Sequence, residues 1–159
     1  MSDLIFQPAP PAAGVAVEAI VRNDGWFPDV DPALVRRQIR LRDGVTAERL
    51  REAILGGIIT IANDLDAWAD AQRTAGYETL AAVPARAIDG ETRLTILYRR
   101  ALGCAIKADL VERYRDIDTT GTGQRQVSDL DQSVEELRRD MIHAIRDLLG
   151  TGRVTIDLI

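Results

Sequence analysis

His143, Cys104 and Lys107 are the single histidine, cysteine and lysine of this 159-residue chain. These residue types run most nucleophilic, acid–base and metal chemistry near neutral pH. None has a second member of its kind to pair with, so a metal cluster or a nucleophile–base pair lacks its parts. Thr119-Thr120-Gly121-Thr122-Gly123-Gln124 offers glycines that could be mistaken for a phosphate cradle. It lacks the Gly-Lys-Ser/Thr ending and has no strand before it, so it reads as a mobile loop over about 116–127. Paired carboxylates, Asp64 with Asp70 or Glu135 with Asp140, could hold Mg²⁺ or perform acid–base work. With 25 acidic residues, though, a helical surface shows such spacings by chance. The expectation is a protein with no catalytic residues, no cofactor and no metal.

Bulk composition fits one domain. Hydrophobic residues make up 46% and charged residues 28%, enough for a core and ordinary for a globular chain. A net charge of −5 disfavours wrapping a nucleic-acid backbone but suits a surface that DNA passes without sticking. Aromatic residues at 4% leave few platforms for stacking bases. One cysteine precludes an internal disulfide framework and fits a reducing compartment. Met1-Ser2-Asp3-Leu4-Ile5-Phe6 lacks the basic stretch of a signal peptide, and the apolar run Ala53–Ala62, fenced by Glu52 and Asp64, is half a membrane span. The expected compartment is the cytosol where the chain is made.

The elements follow from punctuation and periodicity. Asp31 and Pro32 suit the cap and first position of a short helix carrying Leu34, Val35 and Ile39, stopped by Asp43-Gly44. Arg36, Arg37, Arg40 and Arg42 crowd its other sides, as a solvated face or as a patch for an acidic partner. A long helix is expected from Thr46 to Ala75, with Leu50, Ile54, Gly57, Ile61, Leu65 and Trp68 as its seam. Gly56-Gly57 in its middle predicts a bend or a close helix approach. After a connector over Tyr77–Gly90, with Leu80 and Val83 as plugs, a third helix runs from about Glu91 to Arg115. Its stripe is Leu94, Leu97, Tyr98, Ala101, Cys104, Ala105, Ala108, Val111 and Tyr114, which makes Cys104 a core residue. Ser128 with Asp131 resembles a capping box for a fourth helix. Leu130, Val134, Leu137, Met141, Ala144 and Leu148 step along that helix as a heptad seam, with His143 off it. The fold class is all-α: three long helices and a short one in a bundle, with an extended arm before them and a short strand after.

Two segments lack local partners. Residues 1–24, broken by Pro8, Pro10 and Pro11, form either a disordered tail or an extended arm with a strand signal at Val15–Val21. Residues 25–159 form the helical domain. Its end, Arg153-Val154-Thr155-Ile156-Asp157-Leu158-Ile159, alternates as a strand and must pair with something distant or with another chain. The candidate interface residues are therefore Val15, Val17, Trp26 and Phe27, for contact with a neighbouring subunit, and Arg153, Val154, Ile156, Leu158 and Ile159 as a docking element.

The chain resembles the head-completion proteins of peduovirus-type tailed phages, within the helical head–tail connector or adaptor group. The resemblance rests on Trp26-Phe27-Pro28-Asp29-Val30-Asp31-Pro32, Arg49-Leu50-Arg51-Glu52-Ala53-Ile54, Ala75-Gly76-Tyr77 with Leu80 and Val83-Pro84-Ala85, and Ile88-Asp89-Gly90-Glu91. It continues through Tyr98 with Arg100-Ala101, Glu112-Arg113-Tyr114-Arg115 and Glu136-Leu137-Arg138-Arg139-Asp140-Met141. It implies a structural virion protein at the head–tail neck that binds under the portal ring after DNA packaging and meets the tail side. It also implies a homo-oligomeric ring matching the portal's twelvefold symmetry, through which packaged DNA passes, with no membrane and no catalytic residues. Two other readings stand beside it. One is a helical interaction module or small regulator that dimerises through the Leu130–Leu148 seam; the other is a carboxylate enzyme.

Overall fold

Caps and stops set the elements before packing does. In the computed structural model, which describes residues 18–41, 44–115 and 133–152, helix α1 spans Pro32–Ile39. Asp31 caps it by accepting from the Ala33 N–H at 2.9 Å, with Pro32 at a position that needs no donor. The helix ends earlier than the Asp43-Gly44 stop expected for it. Arg40 turns left-handed at φ 49°, and the Leu41 N–H returns to the Arg36 carbonyl at 3.3 Å. Ile39 and Leu41 both pack on the core, so a turn at Arg40 keeps both apolar side chains inward. That packing offsets the strain of a side-chain-bearing residue in this conformation, about 1–2 kcal/mol.

Helix α2, Ala47–Thr74, is capped by Thr46, which accepts from the Arg49 N–H at 3.3 Å. Leu50, Ala53, Ile54, Gly57, Ile61, Leu65 and Ala69 are buried along one side. The two glycines divide their roles. A Cβ on Gly57 would lie 3.0 Å from Leu102 Cδ1 and 3.3 Å from Ile106 Cγ1, whereas one on Gly56 would meet nothing within 4 Å. Gly57 therefore serves a close helix approach. The helix closes beyond Thr74 as the Tyr77 N–H returns to the Gln72 carbonyl at 3.2 Å.

The connector is more ordered than a plain loop. A 3₁₀ turn at Leu80–Ala82 buries Leu80. Strands β1, Ala87–Ile88, and β2, Glu91–Thr92, then pair antiparallel with Ala87 opposite Thr92 and Ile88 opposite Glu91. Asp89 at φ 50° and Gly90 at φ 77° make the two-residue turn. Two consecutive positive φ values match the twist of a hairpin, and Asp-Gly is the pair that tolerates them. The all-α expectation is thereby corrected to a mostly helical chain with a small two-stranded sheet, and Glu91 belongs to that sheet rather than to the next helix.

Helix α3, Arg93–Arg115, is the centre of the packing, with α4 (Val134–Leu149) against it on one side and α2 on another. It buries Leu94, Tyr98, Ala101, Leu102, Ile106, Ala108 and Leu110. Leu102, Ile106 and Leu110 lie outside the single stripe expected for it, because a helix with neighbours on two sides buries more than one face. Helix α4 starts at a reciprocal capping box in which Ser133 accepts from Glu136 N–H and Glu136 accepts from Ser133 N–H. Ser128, Asp131 and Leu130 lie outside the described residues. Val134, Leu137, Ala144 and Leu148 are buried, and Gly150 closes the helix.

The stretch Glu18–Asp24, assigned from sequence to the arm, packs onto the domain. Val21 exchanges two backbone hydrogen bonds with Val30, at 2.8 and 2.9 Å, and is 1% exposed. Glu18 accepts from Arg36 at 2.5 Å. In the described part of the Val15–Val21 strand signal, from Glu18 on, Val21 forms one bridge to Val30, nine positions on. Residues 1–17, the loop at 116–127 and the terminal segment 153–159 lie outside the described residues.

Candidate assembly surfaces

The expected interface pair Trp26–Phe27 turns inward. Asp24 folds the chain there by accepting from both the Trp26 and Phe27 N–H groups at 2.9 Å. Trp26 donates its indole N–H to the Tyr77 carbonyl at 2.9 Å, and its own carbonyl accepts from Leu80 N–H at 2.9 Å. Trp26 meets Phe27 edge-on at 4.8 Å and Trp68 at 6.0 Å. Phe27 stacks on Tyr98 at 4.9 Å. With Trp26 at 6% and Phe27 at 5% exposure, both are spent on the subunit's own core. Large aromatic surface at the start of the domain is what fastens the N-terminal segment to α2 and α3.

Arg73 covers this cluster from outside. It pairs with Asp24 at 2.6 Å and Asp70 at 2.9 Å, and its guanidinium lies 5.0 Å from the Trp26 ring centre. Beneath it, Tyr98 accepts from Asn23 Nδ2 at 2.8 Å. Burial, opposed by that hydrogen bond and reinforced by the Asp24 charge, pushes the Tyr98 phenol up to about 12. Tyr98 therefore stays uncharged at neutral pH, which suits a structural clasp.

The residues that could do chemistry are placed as follows. Cys104 on α3 is partly buried, and burial, then the Asp140 carboxylate, raises its thiol pKa, so it stays unionised. His143 is partly exposed on α4. Of the carboxylate pairs, Asp70 is held by Arg73 while Asp64 is exposed, and Glu135 is exposed. Among the described residues no group of three or more His, Cys, Asp or Glu could hold a metal ion, and no helix is long and apolar enough to cross a membrane. A recess lined by Asp31, Val35, Tyr98 and Arg99 encloses about 40 Å³, room for a water or two.

What the surface offers is contact. Ile59 is 62% exposed and Leu55 37% on the outer side of α2, and Ile142 is 49% exposed on α4. The helical repeat places these three apolar residues opposite the buried seams, which is the signal for them in the sequence. Arg37 and Arg40 of the arginine-rich first helix are exposed, whereas Arg36 is taken by Glu18. In the described part of the α4 seam Val134, Leu137, Ala144 and Leu148 are buried within the chain and Met141 is partly buried against its core, so the seam is not open for dimerisation. Val15, Val17, Arg153, Val154, Ile156, Leu158 and Ile159 lie outside the described residues.

A family model described as phage head completion protein (GPL) matches residues 21–159. The chain is 37% identical over 142 residues to the "Head completion/stabilization protein" of Escherichia phage P2, covering 89% of this chain and 84% of that protein. It is 22% identical over 142 residues to the "Probable head completion/stabilization protein" of Haemophilus phage HP1 (strain HP1c1), covering 89% of this chain and 93% of that one. No solved structure gives a significant match.

Proposed function

Because the chain belongs to the phage head completion protein family, we propose that it acts at the portal vertex of the filled head, binding under the portal ring after DNA packaging and forming part of the head–tail neck. The observation that carries this reading is the extent of the family match, residues 21–159, which takes in the whole helical domain. In this role the subunit is a structural component of the virion, assembled in the host cytoplasm. It stands in a ring of copies, twelve where the portal is twelvefold, and presents its other side to a tail-side neck protein. The net charge of −5 suits a passage that DNA crosses without adhering.

Two segments are the contact elements in this proposal. Arg153–Ile159 docks on the portal by strand addition, supported by the alternation of Val154, Ile156 and Leu158 with polar residues. Val15 and Val17, just before the packed stretch that starts at Glu18, reach a neighbouring subunit. The test is a phage lacking this chain. Its heads should fill with DNA, fail to retain it, and fail to acquire tails. Filled heads that keep DNA and join tails normally would remove the proposed role. Deleting residues 153–159 should leave a folded helical domain that no longer binds portal, and undiminished binding would free that segment from the role.

A further inference from the structure

We propose that the outer face of α2 in one subunit packs against the outer face of α4 in a second copy of this chain, which deepens the ring reading above and rests on it. Leu55 and Ile59, one turn apart on α2, point opposite the seam of Leu50, Ile54, Ile61 and Leu65 that faces the core. Further along the same exposed stripe stands Asp66, with no ion-pair partner among the described residues. The outer stripe of α4 repeats the design with the opposite sign. Ile142 stands between Arg139 and Arg146, at helical spacings that place all three on one side, opposite Leu137, Ala144 and Leu148. Arg139 has its carboxylate neighbour Asp140 only at 4.0 Å, and Arg146 donates to the Gly152 carbonyl at 3.0 Å rather than to an acid.

Leu55 and Ile59 lie between the exposed acids Glu52 and Asp66, and Ile142 lies between Arg139 and Arg146 with one acid, Glu135, a turn beyond Arg139. The two faces therefore carry opposite net charge around their apolar centres, and neither complements itself. An α2–α2 contact would bring acids together and an α4–α4 contact would bring arginines together, both unfavourable. The contact is therefore heterologous: each copy offers α2 to one neighbour and α4 to the next. Such contacts propagate and close into a ring where the rotation permits. Gly56 lies between Leu55 and Ile59 with open space where a Cβ would be, so a neighbour's side chain can approach the α2 backbone there.

The test uses virions of a phage carrying variants of the full chain in a Cys104→Ala background. Ile59→Cys with Ile142→Cys, oxidised in assembled particles, should give a reductant-sensitive ladder of multimers, and each single cysteine should give monomer only. Monomer from the double variant, or dimer from Ile59→Cys alone, overturns the pairing. Averaged electron micrographs of the necks of the same particles separate the two failures. A ring of copies with no disulfide multimers leaves the ring reading standing and the α2–α4 pairing wrong; monomer by disulfide together with no ring at the neck removes the ring as well. A charge exchange covers poor incorporation. Asp66→Arg and Arg139→Asp should each reduce copies per particle about tenfold, and the double exchange should restore them to within about twofold. Absence of that restoration also overturns the pairing.

Discussion

The Tyr98 hydroxyl accepts a 2.8 Å hydrogen bond from Asn23 Nδ2, tying the middle of α3 to a residue 75 positions earlier in the chain. Phe27 stacks on the same ring at 4.9 Å, and Asn23 is itself held by Asp29, which accepts from its backbone N–H at 2.9 Å. The clasp joins the N-terminal segment, the aromatic turn and the central helix at one side chain. Tyr98→Phe removes only the hydrogen bond. Asn23 is partly exposed and can recover water, so the loss is about 1 kcal/mol. Tyr98→Ala also opens a cavity and should cost about 3–5 kcal/mol. Urea unfolding of the two variants beside the parent would show the difference as a small and a large shift in midpoint.

The same residue predicts a pH dependence. Its folded pKa of about 12 stands above the usual value of 10.0 because burial penalises the phenolate. A raised folded pKa means that the unfolded chain releases the proton first, so the contribution is intact below about pH 10. It is lost as pH rises towards 12, by roughly 2–3 kcal/mol in all. The parent protein should lose stability over this window faster than Tyr98→Phe, whose ring cannot ionise. Parallel slopes of unfolding free energy against pH would contradict the assignment.

The adjacent glycines of α2 should respond oppositely to alanine. Gly56→Ala places a methyl in open space and gains helix propensity, so it should stabilise the isolated subunit by up to about 1 kcal/mol. Gly57→Ala sets a Cβ 3.0 Å from Leu102 Cδ1 and 3.3 Å from Ile106 Cγ1, both well-buried side chains. Overpacking of this kind costs about 1–3 kcal/mol and should exceed the propensity gain. Thermal melts of the two variants should move in opposite directions.

Helix α4 depends on its first turn. Ser133→Ala breaks the capping box with Glu136 and should cost about 1 kcal/mol, expressed as faster amide exchange over the first turn from Val134 to Leu137. Thr46→Ala at α2 should cost less, because its cap bond to Arg49 N–H is already 3.3 Å long. Hydrogen exchange resolved by residue would rank the two.

The hairpin offers a clean backbone test. Gly90 sits at φ 77° with nothing near its missing Cβ, so Gly90→Ala meets no clash and only conformational strain, about 1–2 kcal/mol. Asp89→Asn should be nearly neutral, since asparagine tolerates the same region. Paired chemical denaturation of these variants would separate strain from packing.

Features fixed within one or two helical turns were legible in the residues. Asp31-Pro32 and Thr46 start helices because a side-chain oxygen or a missing N–H acts on donors two or three residues away. The seams Leu50–Leu65 and Val134–Leu148 were legible because each of those helices buries one main side. Asp89-Gly90 carried its hairpin signal too, but the apolar run that follows it drew the start of the helix two residues early. Tertiary contact decided the rest. Helix α3 lacks a single stripe because α2 and α4 cover different sides of it, and α1 stops at Arg40 because Ile39 and Leu41 both find the core. Val21 pairs with Val30, and Trp26 and Phe27 turn inward against Trp68, Tyr77 and Tyr98. Exposed apolar residues and buried ones look alike along a chain; only the partners brought in from distant positions determine which side of the protein each one occupies.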